Sequence, residues 1–229
     1  MPTIESLDEL LKHELKDLYS AETQLIEALP KMAEAATGSA LKKAIQQHLT
    51  VTRDQKKRLE QIQKLLGEEI FPPEKKGFFA NLFSSDEGEQ HCKAMEGLIK
   101  EGDSLLEEDM ASAVFDAAII AAAQKIEHYE ISSYGTARAF ALQLGLNKVA
   151  DLLSQTLKEE YDADDSLTAL ALSGINLKAE TPGLKPVEKT TKKTPPKKKS
   201  IKKSPPKRGK ASTKKAAPKK KAVTAKRNR

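Results

Sequence analysis

Apolar residues in 1–177 recur at intervals of three and four, with almost no alternation of period two, so the chain reads as amphipathic helices. The spacing predicts a first helix from about Ile4 to Ala36, opened by a Ser6-to-Glu9 capping box and stopped at Thr37–Gly38. Pro30 inside it removes one backbone hydrogen bond and is expected to bend it. A second helix runs from Ser39, read as its N-cap, to Leu66, with Gly67 beyond. A third runs from Ser112 to Leu144 and ends at Gly145, and a fourth starts at Asn147 and fades near Gly174. Two connections are short, so the first and second helices, and the third and fourth, should form antiparallel hairpins. The 45 residues between the second and third, 67–111, include a short amphipathic helix around Cys92–Glu108. A connection of that length can return to the other end of the bundle and leave the second and third helices parallel. That crossover defines an all-α, ferritin-like four-helix bundle rather than an up-down-up-down one. A bundle of 1–177 is large enough to bury a core alone.

Polar residues interrupt the middle of every apolar seam. In the second helix the series Leu41, Ile45, His48, Thr52, Gln55, Leu59, Ile62, Leu66 steps by four and three, and its three polar members are central. The fourth helix gives Val149, Leu153, Thr156, Glu160, Ala163, Leu167, Leu170, with Asp164 bordering the stripe. The first gives Leu7, Leu11, Glu14, Leu18, Glu22, Leu25, Leu29, Met32, and the third gives Ile120, Ala123, Glu127, Glu130, Tyr134, Ala137, Ala141. A carboxylate in an apolar seam needs a partner or a cation, because burying an uncompensated charge is costly. Several acids from different helices repel one another unless a metal or protons neutralise them. Carboxylates with one histidine suit iron or manganese. Gln55 follows Glu22 by 33 residues and Glu160 follows Glu127 by the same interval, which sets both pairs at similar heights and suggests a duplicated hairpin. A metal site is the leading reading, and a buried proton-sharing network is the alternative. Glu14 reads as an edge residue that reaches solvent, and His48 alone also fits a core histidine bonded to a carboxylate.

At these residues the sequence resembles the ferritin-like YciE/YciF family. The resemblance rests on Leu18–Leu25, on His48-Leu49 with Thr52 and Gln55, on Cys92–Leu98, on Ala117–Glu130 and on Gln155–Glu160, and covers about 1–172. It implies a rubrerythrin-related bundle with accessory helices, a homodimer, ferroxidase activity and a stress-related role. It further implies that Glu22, Glu127, Glu130 and Glu160 occupy acid positions of a di-iron site. Asp164 falls where such a site has a histidine, Gln55 where it has a glutamate, and Arg58 near its other histidine position. No Glu-x-x-His motif occurs on the second or fourth helix. The metal set expected is therefore Glu22, His48, Gln55, Glu127, Glu130, Glu160 and Asp164, holding one ion, two or none. His48 lies about two turns from Gln55, roughly 10 Å along the axis, and so reads as either a peripheral ligand or a structural residue. His128 points away from Glu127.

Charge separates the chain into two parts. Residues 178–229 hold 21 Lys and Arg against Glu180 and Glu188, a net +19, while 1–177 carries a net −13. The tail has seven prolines and no aromatic residue, and is expected to be disordered. Thr194-Pro195-Pro196-Lys197 and Ser204-Pro205-Pro206-Lys207 resemble the Lys/Pro/Ala tails of histone H1. The residues expected to meet DNA are Lys192, Lys193, Lys197, Lys198, Lys199, Lys202, Lys203, Lys207, Arg208, Lys210, Lys214, Lys215, Lys219, Lys220 and Lys221. They neutralise phosphates without reading bases, so duplex DNA is the expected partner ahead of RNA or an anionic membrane. Extended, the tail reaches about 170 Å at about 3.3 Å per residue.

One cysteine, Cys92, excludes an internal disulfide framework, and no apolar run approaches a membrane span or a signal peptide. A cytoplasmic, nucleoid-associated protein is expected. Phe71, Phe78, Phe79 and Phe83 in the long connection should cover the bundle flank or a subunit contact. Three functions fit: an iron-handling ferroxidase tethered to DNA, a non-enzymatic DNA-bridging scaffold, and a manganese catalase-like or other di-metal oxidase with an incidental tail.

Overall fold

The computed structural model describes residues 3–71 and 90–180. Four long helices, α1 (Leu7–Ala35), α2 (Ser39–Leu66), α4 (Ser112–Gln143) and α5 (Asn147–Leu170), form the bundle, with the shorter α3 (Lys93–Leu106) packed against α1 and α4. A π turn, Ala171–Ile175, and a short α6, Asn176–Glu180, follow α5. No strand occurs among the described residues, and none of their helices is long and apolar enough to cross a membrane. The chain divides into units 1–187 and 188–229, and every described helix belongs to the first.

The helix ends follow local chemistry. Ser6 Oγ accepts the Glu9 amide at 3.2 Å and the Glu9 carboxylate accepts the Ser6 amide at 3.2 Å, the expected capping box. The helix continues through Pro30 to Ala35. The C-caps differ: α2 closes on Gly67 in the left-handed region, at φ 73°. The start of α2 departs from expectation. Ser39 is already helical, Gly38 is the cap position and offers no side chain, and the buried Asp116 of α4 supplies the acceptor instead. Its carboxylate takes the Thr37 amide at 2.8 Å and the Gly38 amide at 2.9 Å. Cys92 caps α3, its Sγ accepting the Met95 amide at 3.4 Å.

Two apolar clusters divide the core and establish the topology. One joins Leu25 and Leu29 of α1 to Leu41 and Ile45 of α2, Ile119 and Ile126 of α4, and Leu167. The other joins Leu11 and Leu18 of α1 to Leu59 and Ile62 of α2, Tyr134 and Ala141 of α4, and Val149 and Leu153 of α5. Along α2 and α4 the chain passes from the first cluster to the second, and along α1 and α5 it passes from the second to the first. The second and fourth helices of the chain order, α2 and α4, therefore run parallel, and each is antiparallel to both α1 and α5. This is the crossover arrangement that the long connection allows. Phe71 is buried and stacks on Tyr19, with ring centroids 4.4 Å apart, covering one flank of the bundle. Phe78, Phe79 and Phe83 lie outside the described residues, as does the tail beyond Glu180.

Candidate metal centre

A polar layer separates the two apolar clusters. Each long helix contributes to it where its seam is interrupted: Glu22 from α1, Thr52 and Gln55 from α2, Glu127 and Glu130 from α4, and Thr156 and Glu160 from α5. All seven are at most 2% exposed. Their burial follows from the heptad phase, because each sits in the stripe that its apolar neighbours hold against the core.

His48, Glu127, Glu130 and Glu160 converge most closely, each offering one ligand atom, and all four atoms lie within 4.8 Å of one another. His48 Nε2 stands 3.4 Å from Glu127 Oε1, within ion-pair range but without hydrogen-bond geometry. Glu127 Oε2, Glu160 Oε2 and both oxygens of Glu130 have no hydrogen-bond partner, and neither does Glu22 Oε2. Buried polar atoms in proteins are ordinarily paired, so this concentration of unpaired acceptors marks a place built for a cation or for protons.

The electrostatics agree. Burial pushes Glu22, Glu127 and Glu130 well above the ordinary carboxylate range, and the charge of Glu160 adds to each. Burial also pushes Glu160 up to about 7, opposed by hydrogen bonding with Glu127 and assisted by the charge of Glu159. His48 is lowered to about 4 by burial, so at neutral pH its imidazole is uncharged, the form that ligates metals. The nearby cation Arg58 is committed elsewhere. Its guanidinium grips Glu159 at 2.8 and 2.9 Å and donates to Thr156 at 2.6 Å. The four buried glutamates therefore have no cation of their own hydrogen-bonded to them among the described residues.

The expected site residues divide into three groups. Glu127, Glu130, Glu160 and His48 are brought together, His48 much closer to the acids than its two-turn offset from Gln55 suggests. Side-chain reach accounts for this, because His48 faces Glu127 across the bundle rather than Gln55 along its own helix. Glu22 and Gln55 lie in the same buried layer but are occupied on one side: Glu22 Oε1 accepts the Tyr134 hydroxyl, and the Gln55 amide donates to Glu160. Asp164 is held apart, accepting the Gln124 amide at 2.8 Å and lying 3.4 Å from the exposed His128. Tyr134 and Glu159 had no assigned role in the sequence. Tyr134 already stood in the seam one turn after Glu130, and that position was the signal for a hydroxyl in the layer. Beside the layer Tyr129 donates to Asp17, and Cys92 Sγ lies 3.0 Å from the Tyr129 hydroxyl. Burial raises the Cys92 thiol above its ordinary value, which leaves it a poor nucleophile.

A cleft of about 260 Å³ between α2 and α5 leads to this centre. Buried Leu29, Ile45, Ala123 and Leu167 line its floor, exposed Gln47, Asp162 and Ser166 its rim, and His48 and Glu127 part of its wall.

A family model described as "Domain of unknown function (DUF892)" matches residues 6–77 and 78–180. Protein YciF of Escherichia coli (strain K12) is 41% identical over 177 residues, which make up 77% of this chain and 97% of that protein. The crystal structure of the E. coli stress protein YciF is similar at TM-score 0.66 and 40% identity, covering 76% of this chain and 99% of that one. YcfI from Rhodopseudomonas palustris is similar at TM-score 0.63 and 39% identity, covering 72% of this chain and 94% of that one. With its seams, its crossover topology and these relatives in agreement, the chain belongs to the DUF892 family, the family of YciF.

Proposed function

We propose that this protein is an iron-handling bundle with ferroxidase activity, held on duplex DNA by its basic tail in a stress-related role. The observation that carries the metal reading is the convergence of His48, Glu127, Glu130 and Glu160, with His48 Nε2, Glu127 Oε2, Glu160 Oε2 and both Glu130 oxygens buried and without a hydrogen-bond partner. The donor set fits the group: three hard carboxylates and one neutral imidazole suit iron, with manganese next. Glu127, Glu130 and Glu160 would ligate through carboxylate oxygens and His48 through Nε2. When bound, iron would supply one-electron chemistry, each Fe(II) passing one electron to dioxygen or a peroxide as the oxidant. The protein's own residues do the rest. The apolar clusters above and below exclude water, Tyr134 orients Glu22, and Gln55 orients Glu160. Because Gln55 and Arg58 stand where a second ion would need an acid and a histidine, one ion per chain is the expected stoichiometry.

The tail supports the DNA half of the reading through its net +19 and its lack of aromatic side chains, which together favour phosphate contact over base stacking. E. coli YciF is described as a stress protein, which supports the stress-related role. A homodimer is the expected assembly.

Metal analysis of iron-loaded full-length protein is the test. About one Fe per chain is expected, and Glu127→Ala combined with Glu160→Ala should abolish it. Equal iron in the double variant would overturn the centre. Absence of iron with DNA binding intact would leave a scaffold.

A further inference from the structure

We propose that Glu159 is a metal ligand held in reserve: Arg58 grips its carboxylate and keeps it out of the centre, and Glu159 joins the centre once that grip is lost. Such a role rests on the metal reading above and deepens it, naming a further ligand and the residue that restrains it.

Position comes first. One nitrogen, Gln55 Nε2, donates to Glu160 and also to Glu159 Oε2 at 3.3 Å, so the Glu159 carboxylate stands at the edge of the ligand set. Its charge is felt there, helping to raise both Glu160 and Glu22. The atoms left over in the layer come second. His48, Glu127, Glu130 and Glu160 converge through one atom each. Glu22 Oε2 and Gln55 Oε1 remain buried without a hydrogen-bond partner, as does a further oxygen of Glu130. A second dication at those atoms would be short of negative charge, because Gln55 is neutral, and the Glu159 carboxylate is the nearby group that could supply it. The restraint comes third. The buried Arg58 guanidinium donates to the two Glu159 oxygens at 2.8 and 2.9 Å, and its bond to Thr156 Oγ1 at 2.6 Å anchors it on α5. Gln155 adds a longer bond to Glu159 at 3.3 Å. The Glu159 side chain is 27% exposed, so it has room to turn that the fully buried acids lack. Arg58 therefore neutralises Glu159 and withholds it from the centre.

Titrations of full-length protein with Mn(II), the free ion followed by EPR, and with Fe(II) under anaerobic conditions count ions and affinities without turnover. The parent should hold about one ion per chain, and Arg58→Gln about two. Glu159→Gln alone should leave the parent's ion in place, because Glu159 does not touch it. Adding Glu159→Asp to Arg58→Gln keeps the charge but shortens the reach, and should weaken the second ion about ten- to hundredfold. An equally tight second ion in that double variant would reduce Glu159 to a neighbouring charge and overturn the proposal. One ion in Arg58→Gln would overturn it too. If Arg58→Gln does not fold, Arg58→Lys carries the test. An ammonium cannot grip both Glu159 oxygens and Thr156 together, so a second, weaker ion is expected, and a capacity of one would refute the restraint. A parent that takes up no ion would remove the metal reading and the role of Glu159 with it. A parent with one ion, unchanged by loss of Arg58, would remove the role of Glu159 alone.

Discussion

Gln55 of α2 donates its side-chain amide to Glu160 of α5 at the middle of the bundle. The two occupy matching positions, each 33 residues after an acid of the same layer, Glu22 in one hairpin and Glu127 in the other. One half of the duplicated pattern thus carries an amide where the other carries a carboxyl group. The amide donates without adding charge, which relieves the crowding of four buried glutamates.

Gln55→Glu should reverse that relief. The new carboxyl group brings a fifth acid into the layer and removes a donor from Glu160. Metal-free protein should lose on the order of 1–3 kcal/mol at neutral pH, the usual cost of a buried acceptor left without its donor. Metal capacity should move from about one ion towards two, and Fe(II) oxidation should accelerate. Denaturant melts with a chelator present, beside iron titrations of the same variant, measure both effects. A variant as stable as the parent, with unchanged capacity, would show that Gln55 has no part in limiting the centre.

The buried acids also give the metal-free protein a distinctive pH dependence. Glu22, Glu127, Glu130 and Glu160 all hold protons more tightly folded than unfolded. Their stabilisation is present below the ordinary carboxylate range and is lost as pH rises through their folded values. For Glu160, raised from 4.5 to about 7, the loss is on the order of 3 kcal/mol across that window. His48, lowered to about 4, acts in the opposite sense and costs stability as pH falls from its ordinary value of 6.5. Four acids outweigh one histidine, so metal-free protein should melt at a lower temperature at pH 8 than at pH 5.5. Iron should close the gap at pH 8, releasing protons as it binds. Thermal melts at the two pH values, with and without iron, would show it. A flat profile in the chelated protein would contradict the shifts.

The turn between α1 and α2 depends on a residue from another helix. The Asp116 carboxylate accepts the amides of Thr37 and Gly38 and, at 2.9 Å, the Thr37 hydroxyl. Asp116→Ala should cost roughly 2–4 kcal/mol, since it removes a cap and leaves donors of a part-buried turn unpaired. Gly38→Ala should destabilise through the same contact, because a Cβ there would stand 2.9 Å from Asp116 Oδ2. The two substitutions should be less than additive when combined. Urea denaturation of the single and double variants provides the comparison, and full additivity would separate the two residues.

The bundle was legible because its cause is local and repeated. Leu41, Ile45, Thr52, Gln55, Leu59 and Ile62 are all buried, as their four-three spacing requires, and so is every member of the series from Ile120 to Ala141. Phase also revealed the polar layer, since Glu22, Glu127, Glu130 and Glu160 sit at seam positions. What spacing could not supply was distance between helices. His48 looked remote when measured along α2, yet its neighbour is Glu127 on α4, and that contact depends on how two diagonal helices face each other. Asp164 bordered the stripe by phase and joined the expected metal set only through the family resemblance; Gln124 and His128 hold it at the edge. The Ser39 cap failed for the same reason: a carboxylate 79 residues from Thr37 took the role, and no local rule names it.

The tail gives the most direct test of the DNA reading. Residues 1–180 carry a net −13 and should not bind DNA by themselves, because that charge repels phosphate. The full chain, with its cluster from Lys192 to Lys221, should bind duplex of any sequence, because lysines that contact only phosphate cannot distinguish bases. If about six to ten phosphates are neutralised, affinity should fall on the order of 10³–10⁵ between 50 and 200 mM salt. Competition of the acidic bundle for the tail at low salt would make the slope shallower there. Truncation after Glu180 should abolish binding while circular dichroism and iron content stay at the values of the full chain, because the core helices are complete by Leu170. Mobility shifts of the two proteins across a salt series decide the matter. Binding retained by the truncated protein, or binding insensitive to salt, would place the contact in the bundle and remove the tether.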